Sequence, residues 1–377
     1  MPCGSRHGLE SKRQLHRGGA ETRRKSKPKT HTYHPSLCSR AGSDTEARRK
    51  SKSRADTEGR VEEQRSYKDQ NASALTTMKI ISIGEVLWDV IGDEEHPGGA
   101  PFNFAAHARR LGHEVFFVSA VGKDLRGEKI LDSMAETGLS TCYVRSVKNQ
   151  PTGVVTVTVD SSGQPDYVIH RPAAYDFPRL TQPEVEELLS PLPIWIYYGT
   201  LQQTSSAAHD LTMSLLRSGR DARRFYDVNL RRGCYTPELV RELMAEATVI
   251  KLNQQEVGEI ANMFGDSYPA VSTLEDFCRR YTAQFEWEAI CVTRGDQGCA
   301  VLMGGRYVES PAYPVRVIDA VGAGDAFSAA FVHGFSANWE PAEIADFANR
   351  VGAVVASRPG AIPNWTTEEA LQLKQKE

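Results

Sequence analysis

The chain has 377 residues, and its 45 basic and 48 acidic side chains leave a net charge of −3. This length accommodates two domains, or one large α/β domain with an additional segment. No stretch approaches the roughly 18 consecutive apolar residues of a membrane-spanning helix. The seven scattered cysteines include no C-x-x-C pair, which argues against a disulfide framework and against a zinc site.

The positive charge is concentrated at the amino terminus. Residues 1–70 contain 18 basic and 9 acidic side chains, and they have almost no Val, Ile or Phe. We therefore expect residues 1–77 to be a disordered basic tail; the alternative is that translation starts at Met78. Binding of the tail to nucleic acid is the less favoured interpretation. Neither a secretory signal nor a transit peptide is recognisable, which predicts a cytoplasmic protein.

From Met78 onwards, short apolar segments alternate with segments of helical periodicity. This order predicts an α/β fold with a doubly wound, mainly parallel sheet flanked by helices, in one domain at 78–377. The predicted strands are 79–84, 114–120, 194–199, 224–228, 248–252, 289–293, 298–303 and 313–318, and the main predicted helices are 101–111, 125–137, 326–335 and 349–357.

One pair of segments departs from this alternation. Period-two patterns at 152–160 and 166–171, separated by a turn at 161–163, predict a β-hairpin. We expect this hairpin, together with residues 90–98, to form a small β lid that closes over a site and excludes water. The alternative is an ordinary surface hairpin.

Acidic residues and glycines follow the first predicted strand. Glu85 and Asp89 come after its carboxyl end, which is where ligands bind in open α/β sheets. Gly98 and Gly99 would let a ligand approach the backbone, and Asn103, in the first turn of the next helix, could point its amide at that ligand. The alternative is a flexible loop with solvated side chains.

Polar residues also lie at the ends of later strands. Arg171 ends the hairpin and could hold a substrate oxygen, unless it is simply a solvated side chain. Asn253 and Glu256 follow the strand at 248–252 and share one face of a helix start. Amide and carboxylate oxygens suit Mg²⁺, but the same pair is also a helix-capping pattern.

Two segments near the carboxyl terminus are candidates for a nucleotide site. Thr293, Gly295 and Gly298 connect two predicted strands, either beside a nucleotide or in an ordinary hairpin turn. Asn349 begins the predicted terminal helix, which is broken before Ala361 by a Pro-Gly pair. This helix end could form one wall of a pocket for the nucleotide base.

The segment Asp319-Ala320-Val321-Gly322-Ala323-Gly324-Asp325 lies between the predicted strand at 313–318 and the helix at 326–335. A glycine-rich turn at a helix start aims backbone N–H groups and the positive end of the helix dipole at one point, which binds anions. Asp325 could take a proton from an alcohol while the loop stabilises a transferring phosphoryl group. The alternative is a tight turn with a capping aspartate.

Together, these motifs resemble the ribokinase-like (PfkB-type) carbohydrate kinases over about residues 78–365. Gly98-Gly99-Ala100-x-x-Asn103 and Asp319-x-x-Gly322-Ala323-Gly324-Asp325 are similar to the family's two signatures, and Asn253-x-x-Glu256 is similar to its Mg²⁺-associated motif. The resemblance implies ATP-dependent phosphorylation of a primary sugar hydroxyl. One departure is Val321, where the second signature often has Thr.

The resemblance also implies a role for each residue. Asp325 would be the general base, with the backbone amides of Gly322, Ala323 and Gly324 as the anion hole. Sugar would be bound by Asp89, Gly98, Gly99, Asn103 and Arg171; ATP by Asn253, Thr293, Gly295, Gly298, Asn349 and Ala361; and Mg²⁺ by Asn253 and Glu256. The resemblance also allows a monovalent cation such as K⁺ near the anion loop, as many relatives have. If the hairpin at 152–171 exposes an apolar face, the resemblance implies a dimer that pairs the two lids, as in relatives.

The choice of sugar rests on a finer similarity. Gly84-Glu85-x-x-x-Asp89 and the segments 170–176 and 227–231 look most like fructokinases, which implies D-fructose and ATP giving fructose 6-phosphate and ADP. Ribokinase, 2-keto-3-deoxygluconate kinase and nucleoside kinase are the alternatives within the family. A catalytically silent sugar or nucleotide sensor is another, as is a dinucleotide-dependent oxidoreductase, although Phe327 stands where the latter needs a third glycine.

Overall fold

The computed structural model describes residues 77–159, 165–191, 194–266 and 273–375. Nearly all of the predicted basic tail at 1–77 and the predicted turn at 161–163 lie outside these ranges. The strands are β1 (Lys79–Ile83), β2 (Leu87–Ile91), β3 (Glu94–Gly98), β4 (Glu114–Gly122), β5 (Val144–Val147), β6 (Gly153–Val159), β7 (Pro165–His170), β8 (Ile194–Gly199), β9 (Arg223–Asp227), β10 (Val249–Asn253), β11 (Ala289–Thr293), β12 (Cys299–Met303) and β13 (Arg306–Ser310). The α-helices are α1 (Ala100–Arg110), α2 (Leu125–Glu136), α3 (Gln182–Leu188), α4 (Ser206–Ser218), α5 (Pro237–Glu246), α6 (Gln254–Met263), α7 (Leu274–Phe285), α8 (Ala323–Ser336), α9 (Pro341–Ala356) and α10 (Thr367–Gln372).

Within the described ranges, nine strands form a large sheet in the order β13-β12-β11-β10-β9-β8-β1-β4-β5. From β11 to β5 each strand runs parallel to its neighbours, and β12 and β13 add an antiparallel edge. The carboxyl ends of β1, β8, β9 and β10 therefore meet along one edge of the sheet, which is where ligands bind in this architecture.

Alternation along the central strand β1 explains why helices cover both faces of the sheet. Ile80 is buried on one face against Phe104 and Phe331, whereas Ile81 is buried on the other face in the cluster that contains Leu215. The first cluster includes residues of α1, α2, α8 and α9, and the second includes residues of α3 to α7. The predicted doubly wound α/β fold is confirmed.

Helix α8 is buried on nearly every side. Residues 325–335 are all buried, and the helix packs between α1 and α9. A helix that is apolar all round needs neighbours on several sides, so its composition suits this central position. The position matters because the first turn of α8 carries Asp325.

The predicted hairpin is observed as β6 and β7, which join β2 and β3 in a small sheet of order β3-β2-β6-β7. Period-two alternation places Leu87 and Val155 on the face that packs against Tyr175. Asp89 follows Leu87 by two residues and is aligned with Val155, so it lies on the same face.

The prediction of a strand at 313–318 is wrong, because this segment is irregular. Pro311 and Pro314 lack the N–H group that a strand ladder needs. Val317 and Ile318 are 61% and 59% exposed, so these two apolar residues of the predicted strand do not enter the core, whereas Tyr313 is buried. The glycine loop before α8 consequently follows an irregular segment.

The helix predicted at 349–357, which is α9, is longer than predicted. It begins at Pro341 instead of near Asn349, because Glu340 and Pro341 provide start signals that the prediction missed. Neither this helix nor another in the described part of the chain is both long and apolar enough to cross a bilayer.

Candidate active site

Asp325 lies in the first turn of α8, behind a glycine loop in which Gly322 has a φ of 77°. The Asp325 side chain is buried, and its Oδ2 accepts a 2.8 Å hydrogen bond from Nδ2 of Asn103 in α1. The fold thus joins the two glycine-containing motifs of the sequence, whose key residues are 222 positions apart. Backbone N–H groups at the start of α8 are suited to bind an anion beside this carboxylate.

The charge environment of Asp325 is mixed. Burial, followed by the negative charge of Asp227, raises the pKa of Asp325 to about 6. Lys251, the hydrogen bond from Asn103 and the charge of Arg231 oppose this rise. A carboxyl group with this pKa is ionised at neutral pH but holds a proton more readily than an exposed aspartate, which suits a general base.

The two glycines before α1 allow close packing around the first strand. Gly99 has a φ of 110°, and a Cβ there would lie 2.5 Å from the carbonyl oxygen of Glu85. A Cβ at Gly98 would collide with Oδ2 of Asp89, so the Asp89 carboxylate lies directly against the glycine backbone. Burial raises the pKa of Asp89 to about 6. Side chains at either glycine would disturb this arrangement.

Several buried polar atoms near Asp325 have no hydrogen-bond partner among the described residues. They include Oε2 of Glu85, Oδ1 of Asn103 and the hydroxyl of Tyr175. The charge of Asp325 acts on Glu85, and that of Glu85 acts on Tyr175, so these groups lie in one region. Burial raises the pKa of Glu85 to about 7. An unsatisfied buried polar group costs about 1–3 kcal/mol, so a hydroxyl-rich ligand would relieve this cost.

Arg171 occupies the wall of this region. Its guanidinium pairs with Asp176, donates a 2.9 Å hydrogen bond to the carbonyl of Leu201 and contacts the hydroxyl of Thr204. It also lies over the Tyr175 ring, 5.7 Å from its centroid. Most of its donors are thus engaged within the protein, and Arg171 holds the segment that follows the small sheet.

A cleft of about 710 Å³ opens on the other side of the glycine loop. Its lining includes Thr293, Gly295, Gly298, Ala323, Gly324 and Asn349, all of which were predicted site residues. Residues of the irregular segment at 311–317 form another part of the wall. The Asn349 amide donates to the carbonyls of Ser310 and Pro311, which fixes this segment against α9.

Ala361 is a predicted nucleotide-site residue that has a different location from the others. Within the described ranges it does not line the cleft; a Cβ on Gly322 would collide with the Ala361 backbone. The Ala361 carbonyl accepts a 3.0 Å hydrogen bond from Nε2 of His107, and Nδ1 of His107 accepts one from Trp365. Ala361 therefore supports the glycine loop from behind.

Asn253 and Glu256 form a reciprocal capping box at the start of α6. Asn253 Oδ1 accepts from the Glu256 N–H at 2.9 Å, and Glu256 Oε2 accepts from the Asn253 N–H at 2.8 Å. The other carboxylate oxygen of Glu256 accepts from the Leu230 N–H at 2.9 Å. Each oxygen keeps a second lone-pair direction, so this donor set fits a hydrated Mg²⁺ held through its waters.

The sequence motifs did not identify three further charged residues of this region individually: Asp227, Lys251 and Arg231. Asp227 ends β9 and Lys251 lies in β10, and both are buried, whereas Arg231 is exposed. Charges within otherwise apolar strand segments at a sheet edge are the signal that could have identified the first two. The position of Arg231 among Glu85, Asp89 and Asp325 depends on tertiary structure alone.

Comparison with known proteins gives a consistent family. The family described as pfkB family carbohydrate kinase matches residues 77–368. A fructokinase of Klebsiella pneumoniae is 29% identical over 315 residues, which are 78% of this chain and 98% of that protein. Probable fructokinase-5 of Arabidopsis thaliana is 25% identical over 326 residues, covering 80% and 98% of the two chains.

Solved structures support the same fold. A fructokinase with bound ATP from Xylella fastidiosa has a TM-score of 0.67 at 24% identity, covering 78% of this chain and 96% of that one. A 2-dehydro-3-deoxygluconokinase from Thermotoga maritima has a TM-score of 0.69 at 18% identity, covering 78% and 99%. At these identities the structural likeness establishes the fold and leaves the sugar open.

Proposed function

Because the chain belongs to the pfkB family of carbohydrate kinases, we propose that it transfers the γ-phosphoryl group of ATP to a primary hydroxyl of D-fructose. The observation that carries this proposal is the position of Asp325. Its carboxylate is held by Asn103 at the first turn of α8, between a region of unpaired buried polar atoms and the 710 Å³ cleft. A base between an acceptor pocket and a nucleotide cleft is what an in-line transfer requires.

In this mechanism Asp325 takes the proton of the attacking hydroxyl. Asn103 fixes the carboxylate through one oxygen, which leaves the other available to that hydroxyl. The backbone amides of Gly322, Ala323 and Gly324 stabilise the negative charge that develops on the transferring group. Stabilisation is strong here because the loop is preorganised by the contact between Gly322 and Ala361.

ATP would occupy the cleft, with Thr293, Gly295, Gly298 and Asn349 around the nucleotide. Mg²⁺, when bound, would neutralise phosphate charge, and Asn253 and Glu256 would hold it through its waters. Support comes from relatives: one fructokinase structure is described with bound ATP, and one from Vibrio cholerae with fructose, ADP and calcium ion. A second Vibrio cholerae structure is described with potassium ion, which supports a monovalent cation here as well.

On the acceptor side, Asp89, Gly98, Gly99 and Asn103 would contact the sugar. The unpaired atoms of Glu85 and Tyr175 extend this set of hydrogen-bonding groups. Arg171 would act by ordering the pocket wall through Asp176, since most of its donors are already engaged. A neutral, hydroxyl-rich sugar suits a pocket in which carboxyl groups outnumber free cations.

Fructose is favoured over other sugars by the relatives, because the named relatives of both bacteria and plants include fructokinases. The test incubates the protein with ATP, Mg²⁺ and each candidate acceptor in turn: fructose, ribose, 2-keto-3-deoxygluconate and nucleosides. ADP formation is measured for each. We expect the highest kcat/KM for fructose, with product phosphorylated at O6. If only another sugar is phosphorylated, the proposed substrate is wrong and the proposed reaction stands. Nucleotide binding without phosphorylation of any substrate in the panel would favour a sensor.

We also propose a cytoplasmic homodimer in which the small sheets of two copies pair. Two large apolar side chains of this sheet, Ile91 and Val168, are 49% and 45% exposed. The strand register places these two side chains on opposite faces of the small sheet, and an assembly would cover the apolar side chain on the face that pairs.

A further inference from the structure

A buried ion pair lies beneath the glycine loop. Lys251 of β10 and Asp227 of β9 are register partners in the sheet, and the ammonium is 3.0 and 3.1 Å from the two carboxylate oxygens. The two residues are 7% and 0% exposed. A buried ion pair contributes little net stability, because desolvation offsets its attraction. Its presence next to the site therefore calls for a functional reason.

The pair is tied to the helix that carries Asp325. Oδ2 of Asp227 also accepts a 3.0 Å hydrogen bond from the Tyr197 hydroxyl in β8. Oγ of Ser328, in α8, lies 3.1 Å from the same oxygen and 3.0 Å from the carbonyl of Gly324, so its hydrogen can serve either acceptor. Asp227 thereby connects its own strand β9, together with β8 and β10, to Ser328 in the second turn of α8.

The Lys251 ammonium lies beside the start of α8. A Cβ on Gly324 would lie 3.2 Å from the Lys251 ammonium nitrogen, so this nitrogen occupies the space that a side chain at residue 324 would need. Because the buried Asp227 carboxylate pairs with the ammonium, the ammonium cannot easily move away. The absence of a side chain at residue 324 thus leaves room for the Lys251 ammonium as well as for an approaching phosphate.

We propose that Lys251 and Asp227 are positioning residues for phosphoryl transfer: the ammonium, clamped by Asp227, supports the Gly322–Gly324 loop from below, and the pair balances the charge that faces Asp325. This inference rests on the proposed function for its role in transfer. Its electrostatic part can be measured without any substrate.

Two opposite effects on Asp325 follow from this arrangement. Asp227 disfavours the Asp325 anion and Lys251 favours it, so the two together leave the base ionisable near neutral pH. The polar and charged groups that face Asp325 come from α1, the loop after β1, β8, β9, the segment after β9, and β10: Asn103, Glu85, Tyr197, Asp227, Arg231 and Lys251.

The test is a direct titration of Asp325 by NMR in protein labelled with ¹³C at aspartate carboxyl groups, with Asp325→Asn to assign the signal. We expect Lys251→Met to raise the pKa of Asp325 and Asp227→Asn to lower it, each by about one pH unit. Lys129→Met, which removes an exposed lysine on α2, is the matched control and should leave the titration unchanged. Equal titrations in all four proteins, or shifts of the two variants in the same direction, would overturn the electrostatic role.

A second variant covers the case in which a single substitution prevents folding. Asp227→Asn combined with Lys251→Met leaves no uncompensated buried charge, so it should fold. We expect it to keep the pKa of Asp325 within about half a unit of the unmodified protein but to lose at least about tenfold in kcat, because the loop has lost its support. Unchanged kcat would refute the positioning role. If no sugar is phosphorylated by the unmodified protein, the proposed function fails while the titration still decides the electrostatic role.

Discussion

At the scale of single residues, Asp325 is subject to opposing influences. Burial and Asp227 favour its protonated form, while Asn103 and Lys251 favour the carboxylate. The balance raises the pKa to about 6, which is high for an aspartate but still below neutral pH. As the proposed base, Asp325 is therefore ionised at neutral pH and becomes protonated as the pH falls below about 6.

A pH profile checks this balance. Below about pH 6 Asp325 holds a proton and cannot accept one, so kcat/KM should fall about tenfold per pH unit as the pH drops below that value. Glu85→Gln and Asp89→Asn are the controls, because burial also raises the pKa of these two carboxyl groups, and both variants should retain this acid limb. Loss of the limb in Asp89→Asn would assign it to Asp89. Loss of the limb in Glu85→Gln would assign it to Glu85 instead.

Gly322 and Gly360 have nearly the same φ, so comparing them separates the cost of backbone strain from that of steric crowding. Gly322 has a φ of 77° and Gly360 a φ of 78°, but only a side chain at Gly322 would meet the Ala361 backbone. We expect Gly322→Ala to lower the free energy of unfolding by about 3 kcal/mol and to abolish transfer, and Gly360→Ala to lower it by about 1 kcal/mol with activity kept. Urea denaturation of both variants measures the difference; equal losses would mean that the contact with Ala361 is unimportant.

At the scale of elements, the sequence signals were strongest where a segment is apolar and bounded by turns. The predicted strands at 194–199 and 289–293 coincide with β8 and β11, and the first glycine motif does begin a helix. The alternation at 313–318 was misleading, because apolar residues that line a cleft produce the same pattern as a strand face. The polar edge strand β13 was missed because it has little apolar character.

The amino-terminal cap of α6 allows the capping and metal interpretations to be separated. Asn253→Ala should lower the free energy of unfolding by about 1 kcal/mol and raise the Mg²⁺ concentration for half-maximal activity about tenfold. Thr273→Ala is the matched control, since Thr273 caps α7 with the same reciprocal pattern away from the site residues. It should lower stability equally and leave the Mg²⁺ requirement unchanged. An unchanged requirement in Asn253→Ala would reduce its role to capping.

At the scale of the whole molecule, the site depends on strand order. Asn103 and Asp325 could each be predicted as site residues from local motifs, but their hydrogen bond requires α1 and α8 to pack side by side. Asp227 and Lys251 are neighbours only because β9 and β10 pair in parallel. Local patterns do not encode this pairing, although the charges of the two residues within apolar strand segments were a signal for the site that the prediction did not use.

The proposed dimer is also a property of the whole molecule. Light scattering after size exclusion should give the mass of two chains. Replacing Ile91 and Val168 together by Lys should give that of one, because they lie on opposite faces of the small sheet and one lysine of each copy would be buried whichever face pairs. The control replaces the exposed Leu125, at the start of α2, by Lys and should leave the dimer intact. A monomer in the unmodified protein would rule out the pairing.

The central claim is that Asp325 is the base in phosphoryl transfer from ATP to a sugar, and sugar-dependent ADP formation by Asp325→Asn tests it most directly. We expect kcat to fall at least about a hundredfold with the fold and nucleotide binding retained, because asparagine keeps the shape of the side chain but cannot accept the proton. Asp132→Asn, an exposed position on α2, should behave like the unmodified protein. Turnover in Asp325→Asn near that of the unmodified protein would contradict the account.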